Sequence, residues 1–268
     1  MKPTSKLFIC ITFLLNGLYC DWIYAQSPSI KLLSYNVYFD DKSGKTRYPN
    51  IIHFMKKGQY DIILLQECTA DFINRLSQDE VLKSYTLVKG DPAQGYTNVI
   101  LTSRALYHSG DIPVTTQMGR SAPFLILQDD QTLVVDVHLE SGLSDTASRK
   151  KQITQILKAS QSTQNIVIAG DFNFGDGEPE EKLFSEFIDP GKTSKIITYD
   201  VDNNPIAIHT KYLFEKSRRL DKIYVKCESC KVFNYKVDKV SYSDHWPISI
   251  ILSFNPSPLE DAKKQTVL

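Results

Sequence analysis

The sequence predicts an α/β sandwich in which two β-sheets are flanked by helices. Short runs rich in Ile, Val and Leu alternate along the chain with stretches of helical periodicity. Several runs are continuously apolar, such as 62–65 and 166–168, as is usual for strands covered on both faces. The 268 residues are 42% hydrophobic and 23% charged, which is typical of a soluble globular protein and argues against a disordered or polytopic membrane chain.

Eight strands are predicted where such runs are bounded by polar residues or by Gly, Pro and Asp. They cover residues 30–37, 61–66, 99–102, 124–127, 132–139, 165–169, 221–225 and 247–252. No linker or repeat interrupts residues 29–254, so we expect a single domain there. Residues 255–268 form a polar tail that we expect to fray.

Three helices are predicted between the strands, at residues 48–57, 146–160 and 180–187. In the first, Ile51, Ile52 and Met55 fall on one helical face, which predicts packing of that face against a sheet. In the third, Glu180 and Glu181 stand in the first turn, where the helix dipole favours acidic side chains.

Residues 1–25 predict a signal peptide. Lys2 and Lys6 precede a nine-residue apolar run, and Ala25 offers a small residue for cleavage. A span of about 20 residues is needed to cross a bilayer, so this run is too short for an anchor. The alternative is a buried N-terminal helix or strand. We expect a secreted or periplasmic protein without a stable membrane anchor.

The mature chain would retain three cysteines, an odd number that excludes a disulfide framework. Cys227 and Cys230 lack the further ligands of a zinc site, and a local disulfide between them is a hypothesis for an oxidising compartment. Lys plus Arg and Asp plus Glu both number 31, so no net charge attracts nucleic acid or anionic lipid, although a local basic groove stays open.

Polar side chains stand at the ends of six predicted strands. Taken singly, each is explained by turn chemistry or by exposure to solvent. Together they predict a functional site, because neighbouring strand ends meet at one sheet edge. The residues are Asn36, Gln66, Glu67, His138, Glu140, Asp171, Asn173, Asp221, Asp244 and His245.

Oxygen donors dominate this set, which favours a hard cation such as Mg²⁺ over zinc. Glu67 and Asn36 would be sufficient protein ligands, since Mg²⁺ keeps several waters. A Ser-His-Asp esterase is the rival enzyme. No GxSxG elbow occurs, and Ser243 directly precedes Asp244 and His245, too close in sequence to form a triad alone.

Six segments resemble the endonuclease/exonuclease/phosphatase superfamily, in the order found there. Within it, the set is most similar to the tyrosyl-DNA phosphodiesterases of the second type, although Phe172 stands where those usually carry Thr. The resemblance implies a four-layered α/β sandwich like that of deoxyribonuclease I, with two central mixed sheets. The segments are Ser34-Tyr-Asn-Val37, Leu65-Gln-Glu67, His138-Leu-Glu-Ser141, Gly170-Asp-Phe-Asn173, Arg219-Leu-Asp-Lys-Ile223 and Ser243-Asp-His-Trp-Pro247.

The resemblance also implies roles for these residues. Glu67 ligates Mg²⁺ or Mn²⁺, Asn36 contacts metal-bound water or phosphate, and Asp244 supports the metal from the opposite side. The remaining roles concern the reacting phosphate and its surroundings. Asp171 activates the attacking water, Asn173 and His138 contact the phosphate, His245 donates to it while Asp221 fixes its tautomer, and Arg149 and Trp246 contact substrate.

For two of these the residues alone leave alternatives open. Arg149 could equally be a solvated charge paired with Asp145, and Trp246 could be a core aromatic or a wall of the cleft.

We therefore expect a monomeric, Mg²⁺-dependent phosphodiesterase or nuclease that cleaves DNA or 5′-linked DNA adducts by in-line attack of water. The first alternative is the same chemistry on a sphingomyelin or phosphoinositide headgroup. The second is a binding module without activity, against which the apparently complete site set argues, since binding alone has no need of both Glu67 and Asp171.

Overall fold

Two β-sheets packed face to face form the centre of the molecule. The computed structural model describes residues 29–91, 95–142, 144–211 and 215–254. The predicted signal peptide, residues 1–25, and the predicted tail, residues 255–268, lie outside the described residues.

Eleven strands and four α-helices make up the described part of the chain. The strands are β1 (Ser29–Asn36), β2 (Ile62–Thr69), β3 (Thr86–Lys89), β4 (Tyr96–Thr102), β5 (Leu106–Ile112), β6 (Ala122–Leu127), β7 (Leu133–His138), β8 (Ile166–Asp171), β9 (Asp221–Lys226), β10 (Cys230–Val237) and β11 (Ile248–Phe254). The helices are α1 (Asp41–Gly58), α2 (Ala70–Gln78), α3 (Thr146–Ala159) and α4 (Pro205–Thr210), with 3₁₀ turns at Leu82–Ser84 and Pro179–Phe184.

Both sheets are mixed. The first has the strand order β10-β11-β1-β2-β4-β3 and the second β5-β6-β7-β8-β9. The pairs β1/β2 and β7/β8 are parallel, and the other pairs are antiparallel. The core between the sheets includes Leu64, Val134 and Val167.

Helices cover the two outer faces. Buried side chains of α1 and α2, such as Ile51 and Phe72, pack with residues of the first sheet, and Ile153 of α3 packs with the second. The arrangement confirms the predicted four-layered sandwich with two mixed sheets and flanking helices.

All eight predicted strands are present, and the predicted helices differ from the structure in two places. The first helix begins at Asp41 and not at residue 48, because the Asp40 side chain caps it by accepting a hydrogen bond from Lys42 N at 3.0 Å. The segment 180–187, expected to be α-helical, forms a 3₁₀ turn at Pro179–Phe184. The buried ion pair of Glu180 with Arg149, at 2.8 Å, fixes this segment.

Sequence patterns did not reveal three strands, β3, β5 and β10, or two helices, α2 and α4. Strands β5 and β10 lie at sheet edges and expose much of their surface, so their sequences lack the apolar runs that identify buried strands. A disulfide joins Cys227 and Cys230 just before and at the start of β10, with the Cα atoms 5.9 Å apart, as hypothesised. Among the described residues, no helix has both the length and the apolarity needed to traverse a bilayer.

A buried carboxyl group lies between the sheets beneath the strand ends. Gln66 Nε2 donates to Asp136 Oδ1 at 2.6 Å, whereas Asp136 Oδ2 and Gln66 Oε1 are buried without a hydrogen-bond partner. Burial raises the pKa of Asp136 well above its ordinary value, and the Gln66 hydrogen bond offsets this in part. The folded protein therefore favours the protonated form of this carboxyl.

We predict that Asp136→Asn stabilises the protein at neutral pH. The unfolded carboxyl ionises as the pH rises through its ordinary pKa while the folded one keeps its proton, so wild-type stability falls over that range. An amide does not ionise and escapes this loss. In thermal unfolding at pH 7 the variant should melt a few degrees higher, with roughly 2–4 °C expected for each kcal/mol.

The difference in Tm should shrink as the pH is lowered below the ordinary pKa of aspartate. Glu228→Gln, which makes the same carboxyl-to-amide change at an exposed position, is the control and should leave Tm unchanged. A lower Tm for Asp136→Asn than for wild type at pH 7 would contradict the prediction.

Candidate active site

The strand register brings the predicted residues to one edge of the sandwich. In the parallel pair β1/β2, Asn36 lies opposite Gln66, next to Glu67. In the second sheet, His138 at the end of β7 lies opposite Asp171 at the end of β8. Asp171 also pairs with Asp221, the first residue of β9. The carboxyl ends of parallel strands thus meet as the sequence predicted.

A backbone irregularity aims Glu67 toward the second sheet. The register of β2 against β4 shifts between Leu65 and Cys68, and Glu67 adopts a positive φ of 62°. The Asn36 amide then donates to Glu67 Oε1 at 3.1 Å and to Asp171 Oδ2 at 3.1 Å. One amide group therefore links the carboxylates of the two sheets.

A glycine near the end of β8 allows this strand to approach β7 closely. Gly170 has φ of 145°, and a Cβ there would lie 1.9 Å from Val137 O on the neighbouring strand. A larger residue would force the parallel strands apart. Beyond it, Asn173 N donates to Asp171 Oδ1 at 2.9 Å, and Asn173 Nδ2 donates to Leu139 O at 2.9 Å. These bonds fix the Asp171 carboxylate and the loop that follows.

His245 and Asp221 form a buried hydrogen-bonded pair. Nδ1 of His245 lies 2.8 Å from Asp221 Oδ2, and its Nε2 lies 3.7 Å from Asp171 Oδ2. Burial alone would lower the pKa of His245, but the carboxylates of Asp221 and Asp171 outweigh it and raise that pKa well above its ordinary value. The imidazole is therefore protonated at neutral pH and directs Nε2–H toward Asp171.

Salt bridges of the buried Arg219 and Lys222 side chains position Asp221 at the start of β9. Arg219 Nε donates to Asp176 Oδ1 at 3.0 Å, and Arg219 Nη1 donates to Asp189 Oδ1 at 3.0 Å. Lys222 Nζ also reaches Asp176, at 3.1 Å, and burial lowers the pKa of this lysine to about 8. Arg219 and Lys222, which flank Asp221 in sequence, are thus bonded to carboxylates that do not line the cleft.

His138 receives its orientation from Arg120, which sequence reasoning missed. Arg120 Nη1 lies 2.8 Å from His138 Nδ1 and 3.0 Å from the Tyr96 hydroxyl. A guanidinium only donates, so Nδ1 accepts and the proton of the neutral ring resides on Nε2. Burial and the Arg120 charge lower the pKa of His138 well below its ordinary value. Its Nε2 lies 3.6 Å from Asp171 and 3.8 Å from Glu67.

The acidic residues of this edge fit a divalent cation. Burial and the Asp244 carboxylate raise the pKa of Glu67 to about 7, even though Asn36 and His245 offset part of that rise. Burial also raises the pKa of Asp244. Carboxylates in this state favour neutralisation by a proton or a cation, and oxygen donors suit Mg²⁺ or Mn²⁺.

A second grouping, of Asp171, Asp221 and His245, also has ligand atoms within 4.8 Å of one another. There the 2.8 Å bond between His245 and Asp221 already uses one imidazole nitrogen. The Glu67 and Asp244 carboxylates, which interact electrostatically, could hold a cation without breaking that bond.

These side chains line a cleft of about 940 Å³. The predicted residues in its wall are Glu67, His138, Asp171, Asn173, Asp244 and His245. Residues that were not predicted also line it, and they come mainly from loops and from strand β4: Tyr38, Phe39, Tyr96, Arg120, Tyr199 and Arg218. No local sequence pattern marks these positions, because only the packing of distant segments brings them to the cleft.

Two predicted substrate contacts, Arg149 and Trp246, lie behind the cleft wall. Arg149 is 1% exposed; its Nε donates to Glu180 Oε1 at 2.8 Å and its Nη1 to Gly142 O at 2.7 Å. Trp246 is 4% exposed and packs with Lys239, whose Nζ lies 4.6 Å from the ring centroid. The structure corrects both expectations: these side chains support the cleft from within and do not face it.

The chain matches one family along most of its length. The sequence model of the endonuclease/exonuclease/phosphatase family covers residues 33–245. No curated protein sequence matches the chain.

Solved structures share the fold at low sequence identity. TDP2 of D. rerio, determined in complex with a single-strand DNA product, superposes with a TM-score of 0.72 and 21% identity over 84% of this chain and 99% of that one. An endonuclease/exonuclease/phosphatase family protein of Bacteroides thetaiotaomicron gives 0.67 and 17% over 86% and 99%. The human Nocturnin catalytic domain gives 0.63 and 16% over 85% and 96%.

We predict that Asp221→Asn lowers the pKa of His245. Burial disfavours the charged ring, and without the Asp221 carboxylate fewer negative charges oppose that effect. The titration midpoint of the His245 Cε1–H resonance, followed by NMR without added metal, should move to lower pH. The Cε1–H resonance of His53, which is exposed on α1 and outside the cleft, is the internal reference and should be the same in both proteins. An unchanged midpoint for His245 would contradict the assigned pair.

Proposed function

This chain belongs to the endonuclease/exonuclease/phosphatase family, and from that membership we propose that it hydrolyses phosphodiester bonds in nucleic acid with the help of Mg²⁺ or Mn²⁺. The observation that carries the proposal is the convergence of Glu67, Asp171 and His245, from distant parts of the sequence, on one cleft. A phosphodiester needs such a site, because its negative charge repels nucleophiles and must be offset while water attacks in line.

Asp171 is placed to accept the proton of the attacking water. Its Oδ1 is held by Asn173 N and its Oδ2 by the Asn36 amide. Burial raises the pKa of Asp171, although the nearby His245 charge offsets part of this. A raised pKa makes a carboxylate a stronger base near neutral pH. The water oxygen then bonds to phosphorus as the ester oxygen leaves on the opposite side.

Two imidazoles supply hydrogen bonds to the phosphoryl oxygens. His245 is protonated and presents Nε2–H, since Nδ1 is bonded to Asp221. His138 is neutral and also presents Nε2–H, since Nδ1 accepts from Arg120. Donors aimed at oxygens that gain charge in the transition state commonly contribute about 10²–10³ in rate each.

Glu67 and Asp244 are the residues that would hold the cation, and Asn36 would keep the Glu67 carboxylate in place. Glu67 is fixed by the Phe39 backbone N–H, which donates to Oε2 at 3.0 Å, and by the Asn36 amide. When bound, the cation supplies positive charge that neutralises the phosphate and polarises it toward attack.

The nucleic-acid assignment, including DNA with a 5′-linked adduct, is supported by the content of the cleft. Arg120 and Arg218 line it and contribute positive charge that favours a polyanion. The D. rerio neighbour was determined with a single-strand DNA product. Lipid headgroups are the alternative substrates for the same chemistry.

We also propose export from the cytoplasm. The predicted signal peptide carries this proposal, and the Cys227–Cys230 disulfide supports it because disulfides persist in oxidising compartments.

We predict that Asp171→Asn and His245→Ala each lower kcat/KM by at least about 10²-fold without unfolding the protein. Each change removes a group that acts on the reacting phosphate, and such losses are typically 10²–10³-fold. Asp129→Asn and His53→Ala make the same changes at exposed positions outside the cleft and should retain full activity. Wild-type turnover by either cleft variant, with both controls intact, would refute the mechanism.

We predict that EDTA abolishes hydrolysis and that Mg²⁺ restores it. The assay uses single- and double-stranded DNA, a 5′-phosphotyrosyl oligonucleotide, sphingomyelin and a phosphoinositide. Lipid turnover without DNA cleavage would contradict the nucleic-acid assignment, and undiminished turnover in EDTA would contradict the metal.

Thermal unfolding supplies a readout that is independent of turnover. Mg²⁺ should raise the Tm of wild type, because a ligand that binds only the folded state stabilises it. Glu67→Gln should lose most of this shift.

A further inference from the structure

An exposed aromatic ring stands at the rim of the cleft beside the proposed metal ligand. Phe39 is 47% exposed, and it lines the cleft together with Glu67. Among the large apolar side chains that the described ranges leave exposed, Phe39 alone lies in the cleft wall. The catalytic steps described above make no use of this ring.

The ring of Phe39 is held in place by its neighbours. It stacks on Tyr96 with the ring centroids 5.0 Å apart and the planes inclined by 23°, and Tyr38 meets it edge to face at 5.5 Å. The backbone N–H of Phe39 donates to Glu67 Oε2 at 3.0 Å. Tyr96 in turn receives a hydrogen bond from Arg120 at 3.0 Å. An exposed ring fixed in this way loses little conformational freedom when a ligand stacks on it.

We propose that Phe39 stacks against an unpaired nucleobase of the substrate, next to the phosphate that reacts in this cleft. The inference rests on the proposed function and extends it by assigning the substrate class: single-stranded nucleic acid, or a strand end whose bases are unpaired. The faces of bases within a duplex are covered by their neighbours. Apart from the outer face of a terminal pair, only an unpaired base has a free face to offer the ring.

The position of the ring favours a base over a lipid. A surface that docks on a membrane needs several exposed apolar side chains together, whereas in the described part of the cleft wall Phe39 is the single exposed large apolar side chain. Arg120 and Arg218 in the same cleft suit the charged backbone that accompanies a base. The hydrogen bond from the Phe39 backbone to Glu67 keeps this residue beside the proposed metal ligand.

The test compares variants of Phe39 on a single-stranded oligonucleotide and on bis(p-nitrophenyl) phosphate, a phosphodiester without a base. Phe39→Ala should lower the ratio of kcat/KM for the oligonucleotide to that for the small ester roughly tenfold, the loss expected for one stacked base. Phe39→Leu, which keeps apolar bulk without an aromatic face, should lose most of the ratio. Phe39→Trp should restore it.

An abasic oligonucleotide isolates the contact between ring and base. With an abasic residue adjacent to the scissile phosphate, the kcat/KM of wild type should fall by about the factor that Phe39→Ala causes on the intact strand. The kcat/KM of Phe39→Ala should fall little further on the abasic strand, because the substitution and the missing base remove the same contact. Phe233→Ala removes a similarly exposed phenylalanine from β10, outside the cleft, and is the matched control with wild-type ratios.

The outcomes separate this proposal from the function on which it rests. If wild type hydrolyses no phosphodiester, the proposed function fails. If wild type cleaves the oligonucleotide and Phe39→Ala behaves as Phe233→Ala does, the function stands and the stacking site is wrong. If duplex DNA is cleaved as well as the single strand, or if Phe39→Ala impairs only turnover of sphingomyelin vesicles, the substrate class is wrong.

Discussion

The Asn36 amide, which donates to Glu67 in one sheet and to Asp171 in the other, is the interaction on which the site depends. Carboxylates brought this close repel each other, and burial at the sandwich edge weakens the screening that water would provide. Burial raises the pKa of both groups, with a further rise from the Asp244 carboxylate at Glu67 and from the Asp221 carboxylate at Asp171. A bridging neutral donor holds the two acids together without neutralising either one. Both carboxylates therefore keep their negative charge and can interact with a cation and with the donors that face a phosphate.

The positions of the site side chains depend on uncommon backbone conformations at the strand ends. Glu67 and Asn173 adopt positive φ angles, and Gly170 passes so close to β7 that no side chain fits. Such conformations are costly for residues other than glycine and persist only where the surrounding sheets enforce them. Each occurs at the end of a strand that is apolar and fully buried a few residues earlier. Packing of the buried strands therefore stabilises the uncommon backbone conformations at their ends. The cleft is preorganised before any substrate arrives.

Much of the fold and of the acidic site could be predicted because both follow from short-range patterns. Apolar runs mark the strands, and the register of the parallel pairs brings Asn36, His138 and Asp171 to one edge. The irregularity in β2 then turns Glu67 toward them. Arg149 and Trp246 could not be placed in the same way. Resemblance transfers the identity of a residue but not the direction of its side chain, and Arg149 turns inward to pair with Glu180. Arg120 and Phe39 have no sequence signal at all, since their roles arise from contacts with segments distant in the chain.

The residues proposed to act on the phosphate lie at strand ends, whereas those proposed to recognise the rest of the substrate lie on loops. The groups assigned to the phosphate sit on strand ends or directly beside them, where the two sheets fix their distances. Phe39 stands on the segment after β1, Tyr199 between β8 and β9, and Arg218 just before β9. Loops of this kind can change without disturbing the apolar core. Two chains with the same acidic edge can therefore differ in which substrate they accept, because the aromatic and basic side chains at the rim are set independently of the sheets. For this chain, the rim offers a rigid ring beside one phosphate site and arginines within the same cleft, which is the combination that a flexible polyanion with exposed bases would use.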